Sequence, residues 1–214
     1  MSESGVVIVT GAAGNLGAAL CAVLERRGWR VAPIARDAAD LTDPEGAKAV
    51  AARTLAAFGR IDGLAHTVGG FAMGSIAEHG PELWDQMRRV NLLTTINMVR
   101  AVWPAMQTAG RGSLVAIGAQ PALRAGAGMA AYAGAKAAVL RLIEAAAEEG
   151  KAHGIRANAV LPGIIDTPQN RAAMPGADTA KWVTPAQVAE AIAFLLSDAA
   201  GGVTGALVPV TGRG

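Results

Sequence analysis

The chain carries a single cysteine, Cys21, among its 214 residues. One thiol excludes an intramolecular disulfide and any metal site built from several cysteines. The three histidines, His66, His79 and His153, stand at no ligand spacing with each other or with a carboxylate, so no metal is expected. Aromatic residues make up only 4%, and Tyr132 is the sole tyrosine, so any phenol chemistry has one address. Long apolar runs are also lacking. None reaches the roughly 18 residues that a bilayer-spanning helix needs. The first residues pass directly into Val6–Val9 with no basic segment or cleavage pattern ahead, so no secretory leader and no membrane partner are expected. A cytoplasmic location fits these absences. Charge of one sign is missing too. The formal net charge is +2 and the basic residues are scattered, without the aromatic–basic interleaving of a nucleic-acid surface.

What the chain has is alternation. Short apolar runs at 6–10, 30–35, 64–68, 113–118, 156–161 and 206–210 are separated by helical patterns at 15–27, 44–58, 82–106, 129–153 and 185–197. Strands alternating with helices specify a parallel sheet with helices on both faces. The expected architecture is α/β: one Rossmann-type, doubly wound sheet of about seven strands, in a single domain over 1–214. Pro33 and Pro209 resist this reading, because each removes a ladder donor inside an expected strand. The least patterned stretch, 166–183, is long and polar enough to be a mobile lid over a site.

Thr10-Gly-Ala-Ala-Gly-Asn-Leu-Gly17 follows the first strand and opens the first helix. Gly11 suits a tight turn, Gly14 a close approach of backbone to a pyrophosphate, and Gly17 close packing of helix and strand. Asn15 and Leu16 then fall in the helix's first turn, whose free N–H groups face the phosphates. A glycine triplet alone is often only a turn, but strand before and helix after is the context a dinucleotide site needs. At the end of the second strand, Ala35 stands where an acid would hold the ribose of NAD(H), and Arg36 follows. An arginine there can pair with a 2′-phosphate, which favours NADP(H) over NAD(H). Asp37 keeps the other choice open.

Tyr132 and Lys136 lie at i and i+4, on one helical face. The lysine's charge is expected to pull the phenol's acidity toward neutral pH, making Tyr132 a general acid/base.

Taken together, these residues resemble the short-chain dehydrogenase/reductase family over nearly the whole chain. Asp40 and Leu41 resemble its adenine-packing segment. His66-Thr67-Val68-Gly69 occupies the place of its Asn-Asn-Ala-Gly, departing except at Gly69. Asn91 resembles its helix asparagine, and Leu161–Thr167 its nicotinamide loop. The resemblance implies hydride transfer at a nicotinamide to a small molecule, in a homodimer or homotetramer built on the long helices. It implies roles as well: Tyr132 as general acid/base, Lys136 lowering its pKa and bonding the nicotinamide ribose, and Asn91 holding a water in a proton relay. Val68, Gly69, Pro162, Gly163, Ile165 and Thr167 would line the cofactor. The family's substrate-polarising serine falls at Ala119, thirteen residues before Tyr132, with Gln120 beside it as a substitute donor. The stretch Val160–Arg171, continuing to Trp182, resembles the dihydropteridine reductase branch, which does without that serine, although Ala35 and Asn91 depart from it. Ala119, Gln120 and Trp182 are therefore expected to line a substrate site. The expected acceptor is a conjugated imine or carbonyl compound, including a quinonoid dihydropterin. The alternatives are an ordinary ketone reductase or alcohol dehydrogenase with a replacement donor, and a non-catalytic NADP(H)-binding regulator.

Overall fold

A computed structural model describes residues 5–213. Among them, six parallel strands form one sheet: β1 (Val6–Thr10), β2 (Arg30–Ile34), β3 (Gly63–His66), β4 (Gly112–Ile117), β5 (Ile155–Pro162) and β6 (Leu207–Val210). The strand order is β2-β1-β3-β4-β5-β6. The expected count of about seven is thus corrected to six, one for each apolar run in the sequence. Both resisting prolines are explained by this order. Pro33 lies on β2 and Pro209 on β6, the two edge strands, where a missing N–H leaves no inner ladder bond unmade.

Side-chain alternation divides the strands between two layers. On β1, Ile8 enters a core with α2 (Pro44–Phe58), α4 (Thr94–Ala109) and α5 (Ala130–Gly150). Val7 and Val9 point the other way, into a core with α1 (Asn15–Arg26) and α7 (Pro185–Leu196). Thr184 and Gln187 start α7 with a reciprocal capping box.

The expected helix over 82–106 is not uniform. It runs as α3 (Pro81–Met87), a π-helical turn over Arg88–Leu93, and then α4. Hydrophobic periodicity does not reveal such a turn, because the apolar face continues across it. The 166–183 segment is also more structured than its composition suggests. It contains α6 (Pro168–Ala173) and a 3-10 turn, Thr179–Lys181, and a bridge between Ile165 and Val183 joins its ends. The strand order reverses between β1's two neighbours, β2 and β3. The carboxyl end of β1 is therefore the topological switch point at which open α/β sheets bind ligands.

Candidate active site

Gly11 leaves β1 with φ +71°, and a Cβ on it would stand 2.8 Å from the Thr67 hydroxyl. A Cβ on Gly17 would lie 2.1 Å from the Gly11 carbonyl oxygen, so helix α1 rests directly on the loop backbone. At Gly14 the only close neighbour would be that same oxygen, at 3.3 Å, which leaves its outer side open. Gly14 is the N-cap of α1 and offers no side chain to the first-turn amides. Asn15, Leu16 and Gly17 thus begin a helix whose N–H groups remain available to an anion.

A cleft of ≈ 630 Å³ opens over this loop. Of the expected cofactor residues, Gly11, Gly14, Arg36, Asp40, Leu41, Val68 and Gly69 line it, and Asp37 does not. Asp40 is partly committed, since its Oδ1 accepts from both the Thr42 amide and hydroxyl at 2.8 Å. Those bonds hold its carboxyl below the usual range. Thr42, Thr67 and Val90, neighbours of the expected residues in the same segments, also line the cleft, as does Thr94, which had no sequence signal of its own. Gly17 is buried and Leu16 packs, partly buried, against the core instead.

Past the Gly69 end of the cleft, Tyr132 and Lys136 stand one turn apart on α5. Lys136 is 4% exposed and donates to the Ile117 carbonyl at the tip of β4, at 2.7 Å. The loop after β3 runs between this lysine and Asn91. A Cβ on Gly69 would stand 2.9 Å from Asn91 Oδ1 and 3.2 Å from Lys136 Nζ. Asn91 is fully buried on the π turn. Its Nδ2 donates to the Gly70 and Met87 carbonyls at 3.0 Å, and its Oδ1 accepts from the Gly70 amide at 3.2 Å. Next along the loop, Phe71 sets its ring edge-on to Tyr132, with centroids 4.9 Å apart. Sequence reasoning missed Phe71, which is 57% exposed and has no motif around it.

The electrostatics correct one expectation. Burial pushes the Tyr132 phenol up to about 12 and pulls Lys136 down to about 8. Lys136 therefore does not draw the tyrosine's acidity toward neutrality in the free protein, because desolvation outweighs attraction between the two. At neutral pH the Tyr132 phenol is therefore protonated.

The other wall lies at the carboxyl ends of β4, β5 and β6. Gln120, Gly163, Ile164, Asp178, Lys181, Trp182 and Thr211 surround a cavity of ≈ 540 Å³. Gln120 and Trp182 are thereby brought together. Ala119 is only 5% exposed and presents no polar group. The Gln120 carboxamide makes no hydrogen bond to another described residue. Pro162 closes β5, and Ile165 packs against the inner core. Thr167 caps α6, its hydroxyl accepting from the Asn170 amide at 3.2 Å. Asn15 reaches across to this helix and donates to Gln169 at 2.8 Å.

Comparison with known proteins shows the family. A family profile described as enoyl-(acyl carrier protein) reductase matches residues 3–212. The chain belongs to the short-chain dehydrogenase/reductase family. An acetoacetyl-CoA reductase of Synechocystis is 32% identical, over 98% of this chain and 96% of the relative. A cis-4-hydroxycyclohexanecarboxylate dehydrogenase of Sinomonas cyclohexanicum is 33% identical, over 97% and 95%. The solved structure of gox2181 superposes with a TM-score of 0.90 at 28% identity, covering 98% of this chain and 95% of the other. Membership makes this protein an NAD(P)-dependent oxidoreductase of carbonyl or alcohol substrates.

Proposed function

We propose that this short-chain dehydrogenase/reductase is an NADPH-preferring reductase. It delivers hydride to a carbonyl or conjugated imine carbon while Tyr132 gives the proton. The observation that carries this reading is the place of the phenol: half-buried, one helical turn from the buried Lys136, and against Phe71 on the loop that ends the nucleotide cleft. The cofactor supplies the hydride when bound. Arg36 lines the adenosine end, where it can meet a 2′-phosphate. Lys136 holds α5 to β4 and offers its ammonium to the nicotinamide ribose. Gln120 supports substrate binding, because its free amide can donate where Ala119 cannot.

A second reading is favoured by Ala119. With no hydroxyl to polarise an oxygen, the site suits an acceptor that is already electron-poor, such as a quinonoid dihydropterin. The long helices α4 and α5 support a homodimer or homotetramer in either case.

Steady-state turnover with NADPH, over a panel of ketones and quinonoid dihydropterins, tests both readings. Tyr132→Phe is expected to lose about 10²–10⁴-fold in kcat. Unchanged turnover would remove Tyr132 from the mechanism. Ala119→Ser is expected to raise ketone turnover if the pocket is built around a carbonyl oxygen. No gain, alongside good dihydropterin turnover, selects the second reading.

A further inference from the structure

His66 is 2% exposed at the end of β3 and takes no part in the proton transfer described above. Its two ring nitrogens are both occupied. Nδ1 lies 2.9 Å from the Thr10 hydroxyl, and Nε2 lies 3.2 Å from the Thr94 hydroxyl. Thr94 has one hydroxyl proton, which it donates to the Val90 carbonyl at 2.9 Å. Thr94 therefore accepts from His66, which places the ring proton on Nε2 and leaves Nδ1 to accept from Thr10.

The Val90 carbonyl receives that hydroxyl within the π turn. The Thr94 amide bonds back to Arg89, five residues away, rather than to Val90 as in an α-helix. One residue on, the Thr95 hydroxyl donates to the Asn91 carbonyl at 2.6 Å. Two successive threonine hydroxyls thus bond carbonyls of the irregular turn, and such back-bonding is what bends helices. The turn puts Asn91 where it grips both the amide and the carbonyl of Gly70. Phe71 comes next, with its ring on Tyr132.

We infer that His66 and Thr94 are positioning residues: a neutral histidine, anchored to the sheet through Thr10, holds the Thr94 hydroxyl on the π turn. Through Asn91 and Gly70, that turn sets Phe71 against Tyr132. Neutrality is maintained by burial and by the nearby Lys136 charge, which push His66 down to about 3. The histidine therefore keeps one hydrogen-bonding pattern across the working pH range. A threonine hydroxyl alone could rotate away, whereas the imidazole N–H fixes which lone pair it offers and so where its proton points.

The inference rests on the reading of Tyr132 as proton donor, so its test has an arm independent of turnover. Thr94→Val, Thr94→Ser and His66→Gln are compared with wild type in three measurements: NADPH affinity, kcat per nucleotide-binding site, and amide hydrogen exchange over residues 70–71 and 88–95. In Thr94→Val and His66→Gln, exchange in both segments is expected to quicken. In His66→Gln, whose side chain lies outside the nucleotide cleft, NADPH affinity is expected to stay within about threefold, and in both variants kcat is expected to fall about 10- to 100-fold, as for a misplaced reacting group. Thr94→Ser keeps the hydroxyl and is expected to restore both readouts. His66 does not line the nucleotide cleft, so its variant separates positioning from direct contact. Wild-type exchange and kcat in Thr94→Val would overturn the inference. So would loss of nucleotide binding in both Thr94→Val and His66→Gln, which would make the network a prop of the fold. If Tyr132→Phe keeps full turnover while exchange still quickens in Thr94→Val, the functional reading fails and the positioning network stands.

Discussion

Two side chains one helical turn apart on α5 change their acidities in opposite directions, and both for want of water. Lys136 has its pKa lowered to about 8, so it is charged below that value and neutral above it. Tyr132, raised to about 12, stays protonated throughout that range. If the ammonium is what engages the nucleotide, kcat/KM for NADPH should fall as pH rises through about 8, since that parameter reports the free enzyme. A profile that stays flat well above that value would show that the charge is dispensable. The lysine's shift also has a stability consequence. Its folded pKa lies below the ordinary 10.5, so between about 8 and 10.5 the unfolded chain binds more protons. Its contribution to stability therefore rises with pH across that window. Arg36 offers a second residue-level test. Arg36→Ala should weaken NADPH binding by about 10- to 100-fold, the worth of a charge-assisted hydrogen bond, and leave NADH nearly unchanged. Fluorescence titration with each nucleotide distinguishes these outcomes. Parallel losses for both nucleotides would mean that Arg36 never meets a 2′-phosphate.

At the scale of the element, the phosphate loop depends on what its glycines lack. Gly17→Ala would drive a methyl to 2.1 Å from the Gly11 carbonyl oxygen, which is backbone and cannot swing aside. Helix α1 would have to lift from the loop. The expected result is a lower melting temperature and loss of nucleotide binding, checked by thermal denaturation with and without NADPH. An unchanged ligand-induced shift would refute this account. The glycine spacing was legible in the sequence because strand, loop and helix are contiguous there. The π turn at Arg88–Leu93 was not. Threonine hydroxyls and a histidine on strand β3 bond to it, and none of these alters the apolar period. The same distinction applies to Phe71, whose place on Tyr132 is set by a loop gripped from a distant helix.

The whole molecule leaves α4 and α5 flanking a shallow cavity of ≈ 340 Å³, with Val99, Trp103, Leu142 and the exposed Ala145 on its walls. An assembly built on the long helices would cover it. Light scattering at micromolar concentration should then report a dimer or tetramer, and Ala145→Arg should shift it toward monomer while nucleotide binding persists. A monomeric wild type would remove the assembly, and an Ala145→Arg variant that stays oligomeric would place the contact elsewhere. No described helix is long and apolar enough to cross a membrane.

The local pattern of residues determined the alternating elements, the anion-ready start of α1 and the pairing of Tyr132 with Lys136, because each is a matter of contiguous spacing. Only the tertiary structure decided that β2 and β6 are edges, where their prolines cost little. It also decided that burial overrides the lysine's pull on the phenol, and that His66 governs a turn on a helix far along the chain. Edges, desolvation and long-range hydrogen bonds exist only once the chain has folded. They depend on which segments meet, and no spacing along a single segment encodes that.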